Sequence, residues 1–359
     1  LRKAQPRTRQ MVHNDSLWQP PAEGFYMTDA ISDTAVQFVN NHLSSENGQP
    51  FLLYLAYTAP HWPLHAPEQE VELHKGRYDS GWDSLRESRF RRMRQTGLLT
   101  ANHRLSERPD DIPAWEQAED KARWSRMMEV YAAMITRMDK GIGRLVQALE
   151  EQGELDNTLI IFISDNGGCH ESIEGRQLND PSVPIGARGS YVAYDRPWAN
   201  ASNTPFRWYK SYVHEGGVAS PFVAHWPLKI TNGGSISREA GHVIDLMPTV
   251  LQAAGVNYEQ LVAGKDCPRL PGKSLLPVFS GGTLGERTLA WEHFDSKAIR
   301  QGDWKLVANK HSQQWELYDL SEDPSELNNL AGSMSEKVRQ MEASYEAWAQ
   351  EVGVYAEGI

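Results

Sequence analysis

Three segments of this 359-residue chain carry side chains that could act together on an anion. In Ser164-Asp165-Asn166-Gly167-Gly168 an acid and an amide stand side by side directly after the apolar run 158–163. Ligands gather where buried strands of an open α/β sheet end at their carboxyl side, and two adjacent oxygen donors there can bind a hard divalent cation. The same residues are also ordinary turn chemistry. The second segment is Ala59-Pro60-His61-Trp62-Pro63-Leu64-His65, again after an apolar run. Prolines on both sides of His61 stiffen its backbone and present the imidazole from a rigid loop, whereas His65 is read as structural. The third is Asn203-Thr204-Pro205-Phe206-Arg207-Trp208-Tyr209-Lys210, followed by His214-Glu215-Gly216-Gly217. A lysine among aromatic residues is a point charge suited to an anionic oxygen, its stem packed on rings. The plainer alternatives are a solvated surface lysine and, for Glu215, a turn residue.

The elements that must hold these segments follow from periodicity. Residues 29–43 read as a helix capped by Thr28, with Ile31, Ala35, Phe38 and Val39 at helical spacing. Residues 51–57 are too uniformly apolar for a half-exposed strand and are expected to form a central one. Residues 68–120, charged and rich in Arg and Trp, read as a long surface excursion with short helices. Between 124 and 149, Met127, Met128, Tyr131, Ile135, Met138, Ile142, Leu145, Val146 and Leu149 follow the i, i+3, i+4 rule and define the most secure helix. Strand 158–163 comes after it, the helix-then-strand order of a doubly wound sheet. Residues 169–208 are expected to be a long loop, 221–226 a buried strand and 245–254 a helix closed by Gly255. A core domain over 1–283 precedes a smaller one over 284–359. In the latter, strands at 288–292, 297–300, 304–307 and 315–318 and a helix at 333–351 suggest a small antiparallel sheet covered by one helix.

Composition narrows the function. The 36 basic and 47 acidic residues leave a net charge of −11 with no long basic run, so nucleic acid is not an expected partner. A divalent cation and a lysine would still reverse the sign of the field locally. Two cysteines, Cys169 and Cys267, build neither a disulfide framework nor a thiolate metal site, although one bridge or two free thiols remain open. No apolar stretch reaches the length of a membrane span.

The three segments occur in an order that resembles the type I sulfatases, among them the bacterial arylsulfatases. That order is Pro-His-x-Pro, Ser-Asp-Asn-Gly-Gly, Thr-Pro-Phe-Arg-x-x-Lys with His-Glu-Gly-Gly, then His225-Trp226-Pro227. The likeness continues through Ile244-Asp245-Leu246-Met247-Pro248-Thr249, Gly272-Lys273-Ser274, Arg300-Gln301-Gly302-Asp303-Trp304-Lys305 and Glu316-Leu317-Tyr318-Asp319-Leu320. The resemblance implies an alkaline-phosphatase-like α/β fold with a mostly parallel sheet between helices, followed by the small α+β subdomain. It implies that Asp165 and Asn166 bind Ca²⁺, that Lys210 binds a sulfate oxygen, and that His61 stands near the bridging ester oxygen and assists the leaving alcohol. Such roles suit S–O cleavage, which needs the charge on the sulfuryl oxygens offset and the leaving oxygen protonated or stabilised. Trp62, Trp198, Trp208 and Tyr209 are candidates for an aromatic wall around the organic part of the substrate, with plain core packing as the alternative.

The resemblance also defines what is missing. The family's nucleophile is a formylglycine made from Cys or Ser in Cys/Ser-x-Pro-x-Arg, and no such motif occurs in the chain. The family's early Asp-Asp pair and Gly-Lys-Trp-His segment are also absent. The expectation is therefore a sulfuric ester hydrolase of which this chain carries the C-terminal part of the active site. Alone it would be inactive, and its partner would be the N-terminal part of the same sulfatase, in a periplasmic or secreted setting. Two rivals share the same residues: a phosphodiesterase or phosphonate monoester hydrolase on the same fold, and a non-catalytic sulfate- or glycan-binding remnant.

Overall fold

The computed structural model describes residues 10–45, 48–176, 178–265 and 267–355. A hairpin of β1 (Met11–His13) and β2 (Ser16–Trp18) opens the chain and leads into α1 (Met27–Leu43). Thr28 lies inside α1 and is buried, with Tyr26 as the capping residue, so the expected Thr28 cap does not form. The short α2 (Glu68–Glu72) and the longer α3 (Gly81–Gln95) precede α4 (Lys121–Glu151), whose first turn is capped by the Asp120 carboxylate accepting from the Arg123 amide at 3.3 Å. Of the expected stripe on α4, Met127, Met128, Met138 and Leu149 are buried and Tyr131, Ile142, Leu145 and Val146 half-buried, whereas Ile135 faces outward; Val130 and Met134 are buried in addition.

α1 lies directly against α4, and closeness is possible because Gly141 has no side chain: a Cβ there would sit 2.1 Å from Ser32 Oγ. Charge pairs fix the rest. Arg137 grips Asp29 of α1 through two hydrogen bonds of 2.7 and 2.8 Å and reaches Glu70 of α2 at 3.1 Å, while Lys140 holds both Glu70 oxygens at 2.8 Å.

The Trp-rich stretch 68–120 is not a surface excursion throughout. Trp82 and Trp115 are buried and pack edge-on at 4.7 Å, and Trp82 meets Trp124 and Trp198 at 5.6 Å each, so the stretch supplies part of the main core. Trp198 comes from α5 (Asp195–Ser202), a helix inside the segment expected to be loop. Its weak periodicity is explained by a few large rings meeting end to end, each covering more apolar area than several aliphatic positions.

The sheet departs furthest from expectation. After β3 (Ile160–Ile163) the chain passes α5 and the short α6 (Glu215–Val218) to β4 (Phe222–His225), and β3 and β4 pair antiparallel, Ile160 opposite His225 and Ile163 opposite Phe222. Residues 51–57 run extended without a ladder partner among the described residues, so the mostly parallel sheet is not formed there. Their alternation of half-buried and exposed positions, Leu52 and Tyr54 outward at 76% and 89% exposure, is that of a strand with one face covered.

Beyond α7 (Leu246–Ala253), α8 (Tyr258–Leu261) and α9 (Leu276–Phe279), four strands form an antiparallel meander: β5 (Thr288–His293), β6 (Ser296–Gln301), β7 (Trp304–Ala308) and β8 (Glu316–Asp319). Residues alternate between its faces. Ile299, Leu306 and Leu317 pack on Met341, Tyr345 and Ala349 of α10 (Ser335–Glu351), whereas Ala298, Val307 and Tyr318 pack on Val213. The second face thus backs onto the segment that carries Lys210.

Candidate active site

His61 and Lys210, 149 positions apart in sequence, meet: Lys210 Nζ lies 3.1 Å from His61 Nε2. An ammonium only donates, so Nε2 accepts; the other ring nitrogen, Nδ1, is 2.8 Å from the Trp62 carbonyl, which only accepts, so Nδ1 carries the proton. Trp62 braces the ring at a centroid distance of 4.8 Å and is itself held by its indole N–H to Glu171 at 3.0 Å, with the Arg176 guanidinium 4.9 Å over its face. His65 does not join them. Its Nε2 bonds the Ser190 carbonyl at 2.7 Å, the structural role its sequence suggests.

The strand end carrying Asp165 and Asn166 is tied to the lysine segment through backbone. Lys210 N–H donates to Gly168 O at 3.1 Å, and Gly167 N–H to Gly217 O at 3.0 Å. Glycine is required at these places by lack of room. A Cβ on Gly167 would lie 1.9 Å from Gly216 O, one on Gly216 2.1 Å from Arg207 O, and one on Gly217 1.9 Å from Tyr212 O. The two Gly-Gly pairs that read as turns are places where three backbone segments nest.

Asp165 is exposed and makes no hydrogen bond or ion pair among the described residues, and Asn166 donates its Nδ2 to Gly167 O at 2.8 Å, leaving Oδ1 unengaged. Two free oxygen donors side by side suit a hard cation, yet a Ca²⁺ takes about six to eight oxygens. No group of three or more His, Cys, Asp or Glu able to hold a metal occurs among the described residues, so the pair fits as part of a site and not as a whole one.

Of the aromatic candidates, Trp62 lines the cavity that also holds His61, Asp165, Asn166 and Lys210. Trp198 is fully buried and donates its indole N–H to Trp124 O, and Tyr209 is 2% exposed with burial pushing its phenol up to about 12. These two are core residues, correcting their place in the wall. Trp208 stacks on Tyr212 at 4.4 Å and also packs against the main core. The cavity measures about 4990 Å³, far above the roughly 300–1,000 Å³ of a small-molecule pocket, and its walls include residues 51–57, β3 and β4. Cys169 and Cys267 are free thiols.

The lysine segment is anchored from behind by charges the sequence reading did not single out. Lys305 of β7 is fully buried between Glu215 at 2.6 Å and Glu326 at 2.9 Å, and Glu326 also accepts the Glu215 amide at 2.8 Å. Burial alone would lower the Lys305 pKa, but the two carboxylates outweigh it and hold the ammonium above its ordinary value. Alongside, Arg207 bonds Glu316 and the Tyr318 hydroxyl. Burial would raise the Glu316 pKa; the hydrogen bond from His214 and the charges of His214 and Arg207 bring it down to about 2. Lys305 and Glu316 lie within the sequence stretches quoted above, but nothing in a lone strand lysine signals that it is buried.

Residues 4–256 match the protein-family model described as Sulfatase, and residues 205–350 the one described as N-sulphoglucosamine sulphohydrolase, C-terminal. The chain is 32% identical over 366 residues to an uncharacterized sulfatase of Schizosaccharomyces pombe, covering 96% of this chain and 65% of that protein. It is 31% identical over 267 residues to an arylsulfatase of Klebsiella aerogenes, covering 71% and 56%. Among solved structures, Ps i-CgsB superposes with a TM-score of 0.63 at 24% identity over 95% of this chain and 58% of that one, a likeness of fold. The chain therefore spans between about half and two thirds of the length of these relatives.

Proposed function

The chain belongs to the sulfatase family, and from that we propose that it carries part of the active site of a sulfuric ester hydrolase, with His61, Asp165, Asn166 and Lys210 acting on the sulfate group. The observation that carries this reading is the 3.1 Å contact between His61 Nε2 and Lys210 Nζ, with Lys210 tied by its own amide to the loop of Asp165 and Asn166. All four residues line one large cavity, a histidine and a lysine suited to an anion and two oxygen donors suited to a cation.

In this reading the Lys210 ammonium donates to a sulfate oxygen and offsets charge that grows as the S–O bond breaks. Trp62 O holds Nδ1–H, which fixes the imidazole with Nε2 toward the anion. When Nε2 is also protonated, His61 gives that proton to the departing ester oxygen. Asp165 and Asn166 would hold part of a Ca²⁺ site, whose charge would polarise the sulfuryl oxygens. No attacking group is assigned, because neither Cys169 nor Cys267 lies in Cys/Ser-x-Pro-x-Arg, and no step is built on one. The unpaired stretch 51–57 and the apolar cavity wall support the further reading that additional sulfatase polypeptide covers this face, extends the sheet and completes the site.

The test is turnover of an aryl sulfate against the matching aryl phosphate by the protein expressed from its complete gene, with and without Lys210→Ala. Sulfate preference and a loss of roughly 10²–10³ in kcat on removing one such donor are expected. Preference for phosphate, or binding of inorganic sulfate with no hydrolysis of either ester, overturns the proposal.

A further inference from the structure

One side chain bonds both loops of the site, and it belongs to neither set of expected catalytic or metal residues. Asn203 Oδ1 accepts the Gly168 amide at 2.8 Å, and its Nδ2 donates to the Trp208 carbonyl at 2.9 Å. No other side chain among the described residues hydrogen-bonds the 164–168 and 206–210 segments together. The backbone that carries the carboxamide is itself anchored: Asn203 N–H donates to Ala199 O at 3.0 Å, the Phe206 amide donates to Asn203 O at 2.8 Å, and the residue is 9% exposed. Its helix, α5, is fastened to the core by Trp198, which lies within 6.0 Å of the rings of both Trp82 and Trp115.

Space around the carboxamide is as restricted as its bonds. A Cβ on Gly168 would lie 3.2 Å from Asn203 Oδ1 and 2.6 Å from Tyr194 Oη, and one on Gly167 3.2 Å from Asn203 Nδ2. The amide plane therefore fills the gap between the loop that ends β3 and the segment that bears Lys210. It sets their separation by two hydrogen bonds of fixed direction, because acceptor and donor sit on opposite corners of one rigid group. The direct contacts between the loops, Lys210 N–H to Gly168 O and Gly167 N–H to Gly217 O, are backbone bonds, and Asn203 adds the side-chain link beside them.

We propose that Asn203 is a positioning residue: it transmits the rigidity of the tryptophan core to both loops and fixes Lys210 against Asp165 and Asn166. The inference deepens the sulfatase reading and rests on it for its kinetic consequence. Catalytic placement is demanding, and a shift of about 1 Å costs on the order of 10²-fold in rate.

Asn203→Asp keeps the acceptor for Gly168 and loses the donor to Trp208, whereas Asn203→Ala loses both. The experiment compares the two variants with the native protein expressed from its complete gene, reading kcat and KM on 4-nitrophenyl sulfate and hydrogen–deuterium exchange by segment. Exchange over 206–210 is expected to rise in both variants, and over 164–168 in Asn203→Ala alone, with β6 and β7 unchanged. The kcat of each is expected to fall by about tenfold to a hundredfold with a smaller change in KM. A uniform rise in exchange across the chain, or unaltered kcat despite loosened loops, overturns the assignment. Should the native protein fail to hydrolyse the ester, the sulfatase reading falls, and the segment-by-segment exchange pattern alone decides whether Asn203 holds the two loops.

Discussion

Replacing Lys305 by methionine tests how firmly the C-terminal sheet holds the lysine segment. The ammonium is fully buried and bridges Glu215, 15% exposed at the side chain, and Glu326, 1% exposed. Methionine fills a similar volume, so the main loss is the charge, and two carboxylates are left facing each other in a dry site. Removing one partner of a buried pair costs about 3–5 kcal/mol, because the remaining charge is neither solvated nor paired. At about 2.1 cal/mol/K of unfolding entropy per residue, a chain of 359 residues shifts by roughly 1.3 °C per kcal/mol, so the midpoint of thermal unfolding should drop by roughly 4–7 °C. The sign of its pH dependence follows from burial. In the native protein Lys305 outweighs burial and holds the Glu326 pKa down. In Lys305→Met burial, the largest influence on Glu326, is opposed only by His214 and the Glu215 amide, so its pKa should rise, and the deficit should be largest at neutral pH and shrink as acid protonates Glu326. Calorimetric scans from pH 5 to pH 8 on Lys305→Met and on Lys305→Met with Glu215→Gln and Glu326→Gln would measure both effects. The triple variant should regain much of the loss, since neutral groups of the same shape need no counter-charge. A loss under about 1 kcal/mol, or a deficit that grows on acidification, refutes the reasoning.

Other consequences can be checked separately. Glu316 is held at about 2 in the folded protein against an ordinary value near 4.3. Its contribution is therefore complete above about pH 4.3 and lost as pH falls toward 2, and Glu316→Gln should flatten that part of the urea-midpoint curve. Gly217→Ala places a methyl 1.9 Å from Tyr212 O and 2.7 Å from Tyr209 O, both backbone atoms. It should destabilise by about 1–3 kcal/mol in a denaturant melt and abolish aryl sulfate turnover through displacement of Lys210. Asp165→Ala should weaken Ca²⁺ binding at least about tenfold by titration calorimetry while leaving the melting temperature of the Ca²⁺-free protein nearly unchanged, because the exposed carboxylate bonds nothing among the described residues.

The parts of the fold legible in the sequence are those whose order is local. The stripe on α4 and the strands and helix of the C-terminal sheet repeat at fixed intervals, and the expected limits of β6 to β8 fall within one residue of the observed ones. Residues 51–57 show where local information stops. Their uniformly apolar composition predicts a central strand, but every second residue is exposed, because the covering of a face and a ladder partner are properties of other segments and cannot be read from the strand itself. The direction of the β3–β4 pairing is non-local for the same reason. In the tryptophan-rich stretch, side-chain size replaces periodicity, so a buried core resembles a surface loop.

The site divides along similar lines. Residue type and surroundings raise His61 and Lys210 as candidates, but only the order of motifs that resembles the type I sulfatases sets them apart from a structural histidine and a solvated surface lysine. Type does not report depth. Trp62 and Trp198 look alike in sequence, yet one lines the cavity and the other is sealed in the core, and the difference lies in α5, which carries Trp198 inward. The Gly-Gly pairs read as turns, but the requirement at Gly167, Gly216 and Gly217 is a carbonyl oxygen within 2.1 Å of an added methyl. That requirement links the parts. Gly216 and Gly217 bring the Lys210 segment against the Asp165 loop, and directly before them Glu215 binds Lys305 of the C-terminal sheet. The buried charges of the C-terminal sheet thus brace the segment that bears the ammonium, and damage to them should register there before it registers in α4.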